Sequence, residues 1–301
     1  MSIISYEQVK ERIEELIFIF KAPKSLKEHL EIVFVFGGTS KNLQDTTREQ
    51  FLSYAISCDT PFKFITIEAI YNDLKEFSNI GHGITAKRTA LVELELYAIK
   101  QSYSLVIFPE SVGSYAELGY FTAIPETKAK IYVANHYDFA SANSYLNHII
   151  DVIHNNKDIR PLLMDFKSAT KTTKFEELIT NLTKDYTNKH SSVRLTESEL
   201  FPLSVTYEII KLLPTLTYKQ LQMATEMILK EFTSVYKSKN FTTIISILVV
   251  SDLIRRVILE DFIYFTPVNS EYSLLDIKLT EREKARLLFL QLQYKEEGEA
   301  V

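Results

Sequence analysis

The stretch that most constrains the fold is Ser104–Phe121, which joins a buried strand to the start of a helix. It opens with the apolar run Leu105–Phe108, which is typical of a strand that is buried on both faces of a sheet. Pro109 ends this strand, because proline has no N–H to donate to a neighbouring strand. A short strand of this kind is expected near the centre of a parallel sheet.

The residues after this proline predict a tight turn and a helix N-terminus. Gly113 allows the turn, and Ser114 with Glu117 has the Ser-x-x-Glu spacing of a capping box. The helix is expected to continue through Phe121. A strand, a loop and a helix N-terminus in succession predict an anion-attracting corner at the carboxyl edge of the sheet, with Glu110 and Glu117 at that corner.

Strands and helices alternate through the N-terminal half of the chain. Apolar runs predict three strands besides the central one, at Glu31–Phe36, Phe62–Ile67 and Lys130–Ala134. Helical patterns flank and separate the strands, at Ser5–Phe20, Arg48–Ser57, Glu68–Phe77, Lys87–Gln101 and Ser141–His154. This alternation predicts an α/β fold built on a right-handed, doubly wound parallel sheet.

The second half of the chain has a different character, with no glycine between Tyr120 and Glu297. Its helical patterns lie at Phe175–Tyr186, Leu200–Leu213, Thr217–Glu231, Thr242–Asp261 and Glu281–Tyr294. Two apolar runs within Asp261–Leu275 predict a hairpin that turns at Pro267–Ser270. Helices followed by a hairpin indicate a winged helix-turn-helix. We therefore predict two domains, residues 1–188 with the sheet and residues 189–301 with a mostly helical winged-helix domain.

Composition excludes several classes of protein. The apolar fraction of 46% and the net charge of −5 indicate a globular protein with no general attraction to nucleic acid or anionic membrane. The single cysteine, Cys58, excludes an internal disulfide framework and a multi-cysteine metal site. The acidic N-terminus is unlike a targeting peptide, and no apolar run reaches the length of a membrane span. We expect a cytoplasmic protein without a metal or a membrane partner.

The charges of the second half argue against simple DNA binding. Residues 190–301 contain 13 Lys and Arg against 15 Asp and Glu, whereas a domain that reads duplex DNA usually carries a basic face. The paired arginines Arg255 and Arg256 are predicted on the third helix, either as a solvated face or as a contact. A winged fold used to contact protein or a nucleoprotein stays open.

Glu117 has two interpretations. A Glu at the third position of a capping box can simply accept from the N-cap amide and needs no catalytic role. The same carboxylate, held at the carboxyl edge of a central strand with Glu110 nearby, could instead stabilise or attack an electron-poor sugar carbon. C–N glycosidic bonds break through an oxocarbenium-like centre, and a nearby anion favours that centre.

The motif around this glutamate resembles a known family. Val112–Tyr120 resembles the nucleophile motif of nucleoside 2-deoxyribosyltransferases, and Gly37-Gly38 resembles their first substrate loop. The longer string Phe108–Gly119 is closer to the deoxyribosyltransferase-like effectors of retron antiphage systems, which join this domain to a C-terminal winged-helix region. The resemblance implies a deoxyribosyltransferase-like Rossmannoid sheet. Deoxyribosyltransferases usually carry an Asp where this chain has Ser111, which argues against ordinary base exchange.

The resemblance implies roles for individual residues. Glu117 would be the nucleophile or oxocarbenium stabiliser, and Glu95 would hold ribose hydroxyls or be a solvated helix residue. Two further candidates come from their positions: His82 between two glycines and Arg48 at a helix start could contact phosphate, or they could be surface residues. The predicted substrate-binding set is Gly37, Gly38, Thr39, Arg48, His82, Glu95, Pro109, Glu110, Ser111, Gly113 and Ser114.

The resulting hypothesis is a retron effector toxin that acts in abortive infection. It would cleave the nicotinamide–ribose bond of NAD, with NAD as a substrate and no cofactor. Its expected partners are a retron reverse transcriptase and the multicopy single-stranded DNA/RNA, and a homo-oligomer is possible. Two enzymatic alternatives are a nucleoside monophosphate phosphoribohydrolase, like those that activate cytokinins, and a deoxyribosyltransferase. The non-enzymatic alternative is a nucleotide-sensing regulator that binds DNA.

Overall fold

A computed structural model describes most of the 301-residue chain. The described residues are 6–21, 30–38, 46–79, 91–137, 145–154, 162–167, 171–188, 200–213, 216–232, 241–259, 262–275, 277, 280 and 282–287. Contacts divide the chain into two compact units. The sheet unit comprises His29–Ala69 and Ala90–His190, and the helical unit comprises Met1–Glu28, Ile70–Thr89 and Ser191–Val301.

This division differs in part from the two predicted domains. The break at residues 190 and 191 lies close to the predicted boundary at 188 and 189. Residues 1–28 and 70–89, however, group with the C-terminal residues rather than with the sheet. Within the helical unit, helix α1 (Tyr6–Lys21) packs against a helix at Tyr218–Lys230, which accounts for the assignment of the N-terminal segment.

The sheet unit contains a five-stranded, fully parallel sheet, which confirms the predicted α/β class. Its strands are β1 (Leu30–Phe36), β2 (Lys63–Ile65), β3 (Ser102–Ile107), β4 (Ile131–His136) and β5 (Leu162–Met164). They are arranged in the order β2-β1-β3-β4-β5. The edge strand β5 was not predicted, because three residues are too few to show a pattern.

Helices connect the strands. They are α2 (Thr47–Ile56), α3 (Ile67–Asn79), α4 (Leu91–Gln101), α5 (Val112–Thr122), α6 (Pro125–Lys128), α7 (Tyr145–His154) and α8 (Lys171–Asn188). Helix α3 begins in the sheet unit and continues into the residues assigned to the helical unit. Within the described residues no helix combines the length and the apolarity that a membrane crossing requires.

Both faces of the sheet are buried, because alternate side chains of each strand pack against different helices. On one face Val33 and Val35 of β1 join a core cluster that includes Phe51 of α2 and Phe175 of α8. On the other face Phe36 packs against Phe121 of α5, with ring centroids 5.0 Å apart. This two-sided burial explains why the strands are apolar runs rather than alternating sequences.

The helical unit contains three consecutive helices and a two-stranded antiparallel hairpin. The elements are α9 (Phe201–Leu212), α10 (Tyr218–Lys230), α11 (Phe241–Val250), β6 (Ile254–Leu259) and β7 (Phe262–Pro267). Residues 282–287 are helical and belong to the predicted last helix, the rest of which lies outside the described residues or is not described as helix. The order of helices and hairpin matches the prediction, and its identity as a winged helix stays a prediction.

The predicted position of the hairpin was wrong. The strands pair from Ile254↔Pro267 to Leu259↔Phe262, so the chain reverses before Phe262 rather than at Pro267–Ser270. Helix α11 ends early because Asp252 has a φ of 58°, a left-handed conformation that cannot continue a helix.

As a result Arg255 and Arg256 lie on β6 and not on a helix. Arg256 is mostly buried, donates to both carboxylate oxygens of Asp73 at 3.0 Å and lies over the ring of Phe77. The guanidinium of Arg256 is therefore occupied within the helical unit. Arg255 and Arg256 therefore do not form a basic pair on the solvent-facing side of a helix.

Candidate functional site

The candidate site lies where the order of the strands reverses. After β1 the chain forms β2 on one side of β1, and it then returns to form β3 on the other side. The carboxyl ends of β1 and β3 are therefore neighbours whose following segments diverge, which opens a crevice at the sheet edge. Gly37 and Gly38 follow β1, and Pro109, Glu110 and Ser111 follow β3.

Glu110 bridges the two segments through its carboxylate. Its Oε1 accepts from the backbone amides of Gly38 and Arg48, each at 3.1 Å, and its Oε2 accepts from the amide of Thr47 at 2.9 Å. Thr47 and Arg48 form the first turn of α2, whose amides have no acceptor within the helix. Glu110 thus holds the loop after β1 and the start of α2 together, and both of its oxygens are engaged.

The two glycines after β1 are required by this packing. A Cβ atom at Gly37 would lie 2.8 Å from Cβ of Arg48 and 3.0 Å from Oε1 of Glu110. A Cβ atom at Gly38 would lie 3.1 Å from Cγ of Glu110. The Gly-Gly pair therefore allows the loop to approach the side chain of Glu110, whether or not it also contacts a substrate.

The predicted start of α5 was wrong by one turn. The N-cap is Ser111, whose Oγ accepts from the amide of Ser114 at 3.2 Å, and Ser114 occupies the third helical position of the capping box. Gly113 lies in the first turn of the helix rather than in a tight turn before it. Because Ser114 fills the position predicted for Glu117, the carboxylate of Glu117 is in the second turn and is not needed as a cap.

The two serine side chains shape the loop before α5. Oγ of Ser114 accepts from the amides of Glu110 at 3.1 Å and Ser111 at 3.0 Å. Val112 and Gly113 are exposed residues in the first turn of α5, where backbone amides have no acceptor within the helix. Their amides are the donors that the N-terminus of α5 can offer to an anion or to sugar oxygens.

Glu117 is half-buried and is not held by any partner in the described part of the chain, where its carboxylate has neither a hydrogen bond nor an ion pair. Burial, reinforced by the negative charges of Glu95 and Glu68, raises the pKa of Glu117 from 4.5 to about 7, against the opposing effect of Arg48. A carboxylate that is half-buried, has no partner in the described residues and has a pKa near 7 is a candidate for a functional role rather than a structural one.

The groups around Glu117 come from three helices. Glu95 lies on α4 and is only 8% exposed, and burial and then the charge of Glu68 raise its pKa. Arg48, at the start of α2, is also buried. Its guanidinium donates to Oε1 of Glu68 at 2.8 Å and to Oε1 of Glu49 at 2.9 and 3.2 Å. Predicted as a phosphate ligand, Arg48 is engaged by two carboxylates in this structure.

Glu68 belongs to this group although the sequence did not single it out. It lies in the first turn of α3, three residues after the end of β2, and its side chain is 48% exposed. The signal in the sequence that could have identified Glu68 is its position just after a predicted strand, at the carboxyl edge of the sheet. Among the described residues no set of three or more His, Cys, Asp and Glu side chains is arranged to hold a metal ion.

The remaining predicted residues divide into two groups. Pro109 is buried in the loop after β3, beside Glu110 and Ser111. Thr39 and His82 lie outside the described residues. The structure thus brings together Gly37, Gly38, Arg48, Glu95, Pro109, Glu110, Ser111, Gly113, Ser114 and Glu117 in one unit, around the carboxyl ends of β1 and β3.

We expect Glu117→Gln to stabilise the protein at alkaline pH and to have no effect on stability at acidic pH. The folded-state pKa of about 7 lies above the ordinary value of 4.5, so the unfolded state ionises first as the pH rises. The wild-type protein therefore loses stability between about pH 4.5 and 7, and the variant does not. Because Glu117 is only half-buried and solvent screens its charge, the free energy of unfolding should differ by on the order of 2 kcal/mol at pH 8, less than the full shift in pKa implies.

Denaturant titrations of both proteins from pH 4.5 to 8.5 measure this difference. Glu126→Gln is the matched control, because Glu126 is exposed on α6. A difference that is constant across this pH range would show that burial does not perturb Glu117.

The chain was also compared with known proteins. A model of the family described as STM3845 retron effector protein matches residues 44–256, which is more than half of the chain. The matched range includes every strand of the sheet except β1 and all of the helices from α2 through α11. A search of curated proteins found no match.

Proposed function

The chain belongs to the STM3845 retron effector protein family, and we propose that it acts there by cleaving an N-glycosidic bond of a nucleotide. Membership in this family associates the chain with a retron system and with retron-mediated defence. The proposed substrate is NAD, and the proposed products are nicotinamide and ADP-ribose. Loss of NAD would stop the metabolism of an infected cell, as abortive infection requires.

The observation that carries the proposal is the environment of Glu117. Its carboxylate is half-buried, lacks a partner among the described residues and lies at the carboxyl edge of a parallel sheet. Structural carboxylates in proteins are usually paired or hydrogen-bonded, as Glu110 is in this same site. An unpaired carboxylate weakens the fold at neutral pH, so stability does not account for Glu117, and its perturbed pKa favours a chemical role.

The reaction requires little more than this anion and a water molecule. As the bond between the ribose C1′ and the nicotinamide nitrogen breaks, its electron pair neutralises the cationic ring and positive charge develops on C1′. The Glu117 carboxylate would stabilise that charge or form a bond to C1′. Water then adds to C1′, displacing the carboxylate where a bond to it has formed, and loses a proton to solvent, which gives ADP-ribose and regenerates Glu117.

Neighbouring groups would orient the substrate. Glu95, buried on α4 and without a hydrogen bond in the described residues, would accept from ribose hydroxyls. The amides of the exposed residues Val112 and Gly113 would donate to a phosphate or a sugar oxygen at the N-terminus of α5. Glu110, Ser111 and Ser114 would contribute indirectly, because their side chains hold the backbone of this corner in place.

We expect the rate of cleavage to rise with pH between 6 and 8. The anionic form of Glu117 is the reactive one in this scheme, and its pKa is about 7 in the free protein. A plot of kcat/KM against pH should therefore reach half of its plateau near pH 7, because kcat/KM reports ionisations of the free enzyme. A rate that falls over the same range would assign Glu117 the role of a proton donor.

Product analysis tests the proposed substrate against its two enzymatic alternatives. The protein is incubated separately with NAD, with nucleoside monophosphates and with deoxynucleosides plus a free base, and products are separated by chromatography. Nicotinamide from NAD alone supports the proposal. Free base from nucleoside monophosphates would favour a phosphoribohydrolase, and base exchange between deoxynucleosides would favour a deoxyribosyltransferase.

The helical unit is proposed to dock on a retron reverse transcriptase and its multicopy single-stranded DNA/RNA, which would restrain the effector. The same incubations are therefore run with and without this complex, and nicotinamide release should fall when it is present. The DNA-binding alternative is not favoured, since Arg256 is paired with Asp73. Salt-dependent binding of random duplex DNA by the full chain would support that alternative.

A further inference from the structure

Arg48 is the positive charge that acts on Glu117 among the described residues, and it is neutralised from two sides. Glu49 and Glu68 each place one carboxylate oxygen against the buried guanidinium, Glu49 at 2.9 Å and Glu68 at 2.8 Å. The two carboxylates differ in which other acidic groups their charge affects. Glu68 also acts on Glu95 and Glu117, whereas Glu49 does not.

We propose that Glu68 is a positioning residue of the Glu117 site, because it holds the buried Arg48 guanidinium at 2.8 Å and its negative charge opposes the effect of that cation on Glu117. This inference rests on the proposed role of Glu117. It assigns Glu68 a function that stability does not require, since an ion pair as exposed as that of Glu68 contributes little to folding. Glu68 adds to the effects of burial and of Glu95, which favour the neutral form of Glu117.

The ionisation of Glu117 depends on the charged groups of the helices that surround it. Within the described ranges, the charged groups that act on it are Glu95 from α4, Glu68 from α3 and Arg48 from α2. Helices α6 and α7 also pack against α5. Their titratable residues do not contribute to the pKa of Glu117; these are Glu126, Lys128, His148, Asp151 and His154. Removing Glu68 therefore leaves one anion and one cation acting on Glu117.

The test compares Glu68→Gln with Glu49→Gln, since each variant breaks one ion pair of Arg48. For each background, the free energy of unfolding is measured with and without Glu117→Gln across pH 4.5 to 8.5. The difference reports the ionisation of Glu117. In Glu68→Gln the pH at which that difference levels off, which marks the folded-state pKa of Glu117, should move down by roughly one unit and the midpoint by about half as much, because a nearby anion has been removed. In Glu49→Gln it should stay near that of the wild type.

The charge-conserving variant Glu68→Asp completes the experiment and should restore the midpoint. Equal midpoints in Glu68→Gln and Glu49→Gln would overturn the proposal, and so would a midpoint in Glu68→Asp that matches Glu68→Gln. The measurement needs no substrate. A shifted midpoint in a protein that cleaves no nucleotide would therefore count against the proposed function and not against the role of Glu68.

If the protein does cleave NAD, the pH dependence of kcat/KM gives an independent readout. The half-maximal pH should fall by roughly one unit in Glu68→Gln, so that this variant is several-fold faster than the wild type near pH 6. A purely structural role would lower the rate equally at every pH. That result would contradict the proposal.

Discussion

Glu117→Gln is expected to lower the rate of nucleotide cleavage by at least about 10³-fold, with the fold intact. The amide has nearly the same shape as the carboxylate but carries no negative charge, so it cannot stabilise or attack the developing cation on C1′. The rate is measured as nicotinamide released from NAD at pH 8, where the wild-type carboxylate is mostly ionised. Binding of the substrate should change far less than kcat.

Two comparisons make this result specific. Glu126→Gln removes a carboxylate from exposed α6 and should leave the rate unchanged. The pH dependence of stability described above shows separately that the Glu117→Gln protein is folded. A variant that is folded and retains even one tenth of the wild-type rate would remove Glu117 from the reaction.

Glu110→Gln is expected to destabilise the protein by about 3 kcal/mol. The carboxylate accepts three backbone hydrogen bonds, from Gly38, Thr47 and Arg48. A glutamine presents one oxygen and one NH₂ group, so at least one amide would face another donor and the remaining bonds would lose their charge. Urea titration at pH 7 measures the change in the free energy of unfolding.

The two glutamates of the site should therefore respond in opposite directions. At pH 8 the substitution at Glu110 weakens the fold, and the same substitution at Glu117 strengthens it. This contrast distinguishes a carboxylate that supports the corner from one that is held there at a cost to stability. Stabilisation by Glu110→Gln at this pH would contradict the network described for the loop after β3.

Local sequence was sufficient for four of the five strands of the sheet and for the edge at which the candidate site lies. The apolar runs at β1, β3 and β4 could be recognised because strands covered on both faces are apolar throughout. The alternation of these strands with helices predicted a parallel sheet, and a parallel sheet places its ligands at the carboxyl ends of its strands. The same reasoning predicts Glu117 at this edge of the sheet.

Two helix boundaries were predicted wrongly because two sequence patterns overlap there. The sequence from Ser111 to Glu117 contains both Ser111 with Ser114 and Ser114 with Glu117 at capping-box spacing. The first pair caps α5, and local spacing alone does not distinguish them. The helix over Thr242–Asp261 was predicted too long, because apolar residues recur from α11 through β6 and the break at Asp252 depends on its left-handed backbone.

Other features depend on residues that are distant in sequence. The hydrogen bonds of the Glu110 carboxylate join it to residues more than sixty positions away, and the ion pair of Arg48 with Glu68 spans twenty positions. No periodic pattern records such contacts. The same applies to the pairing of Arg256 with Asp73, which removes the basic character expected of the arginine pair.

The most direct test of the account is release of nicotinamide from NAD by the wild-type protein beside Glu117→Gln and Glu126→Gln. Purified proteins are incubated with NAD, both alone and with the retron complex, and nicotinamide and ADP-ribose are quantified over time. The wild type and Glu126→Gln should release the same amount of nicotinamide, with an equal amount of ADP-ribose. Glu117→Gln should release neither product above background. Equal nicotinamide release by all three proteins, or its absence from all of them, would contradict the account.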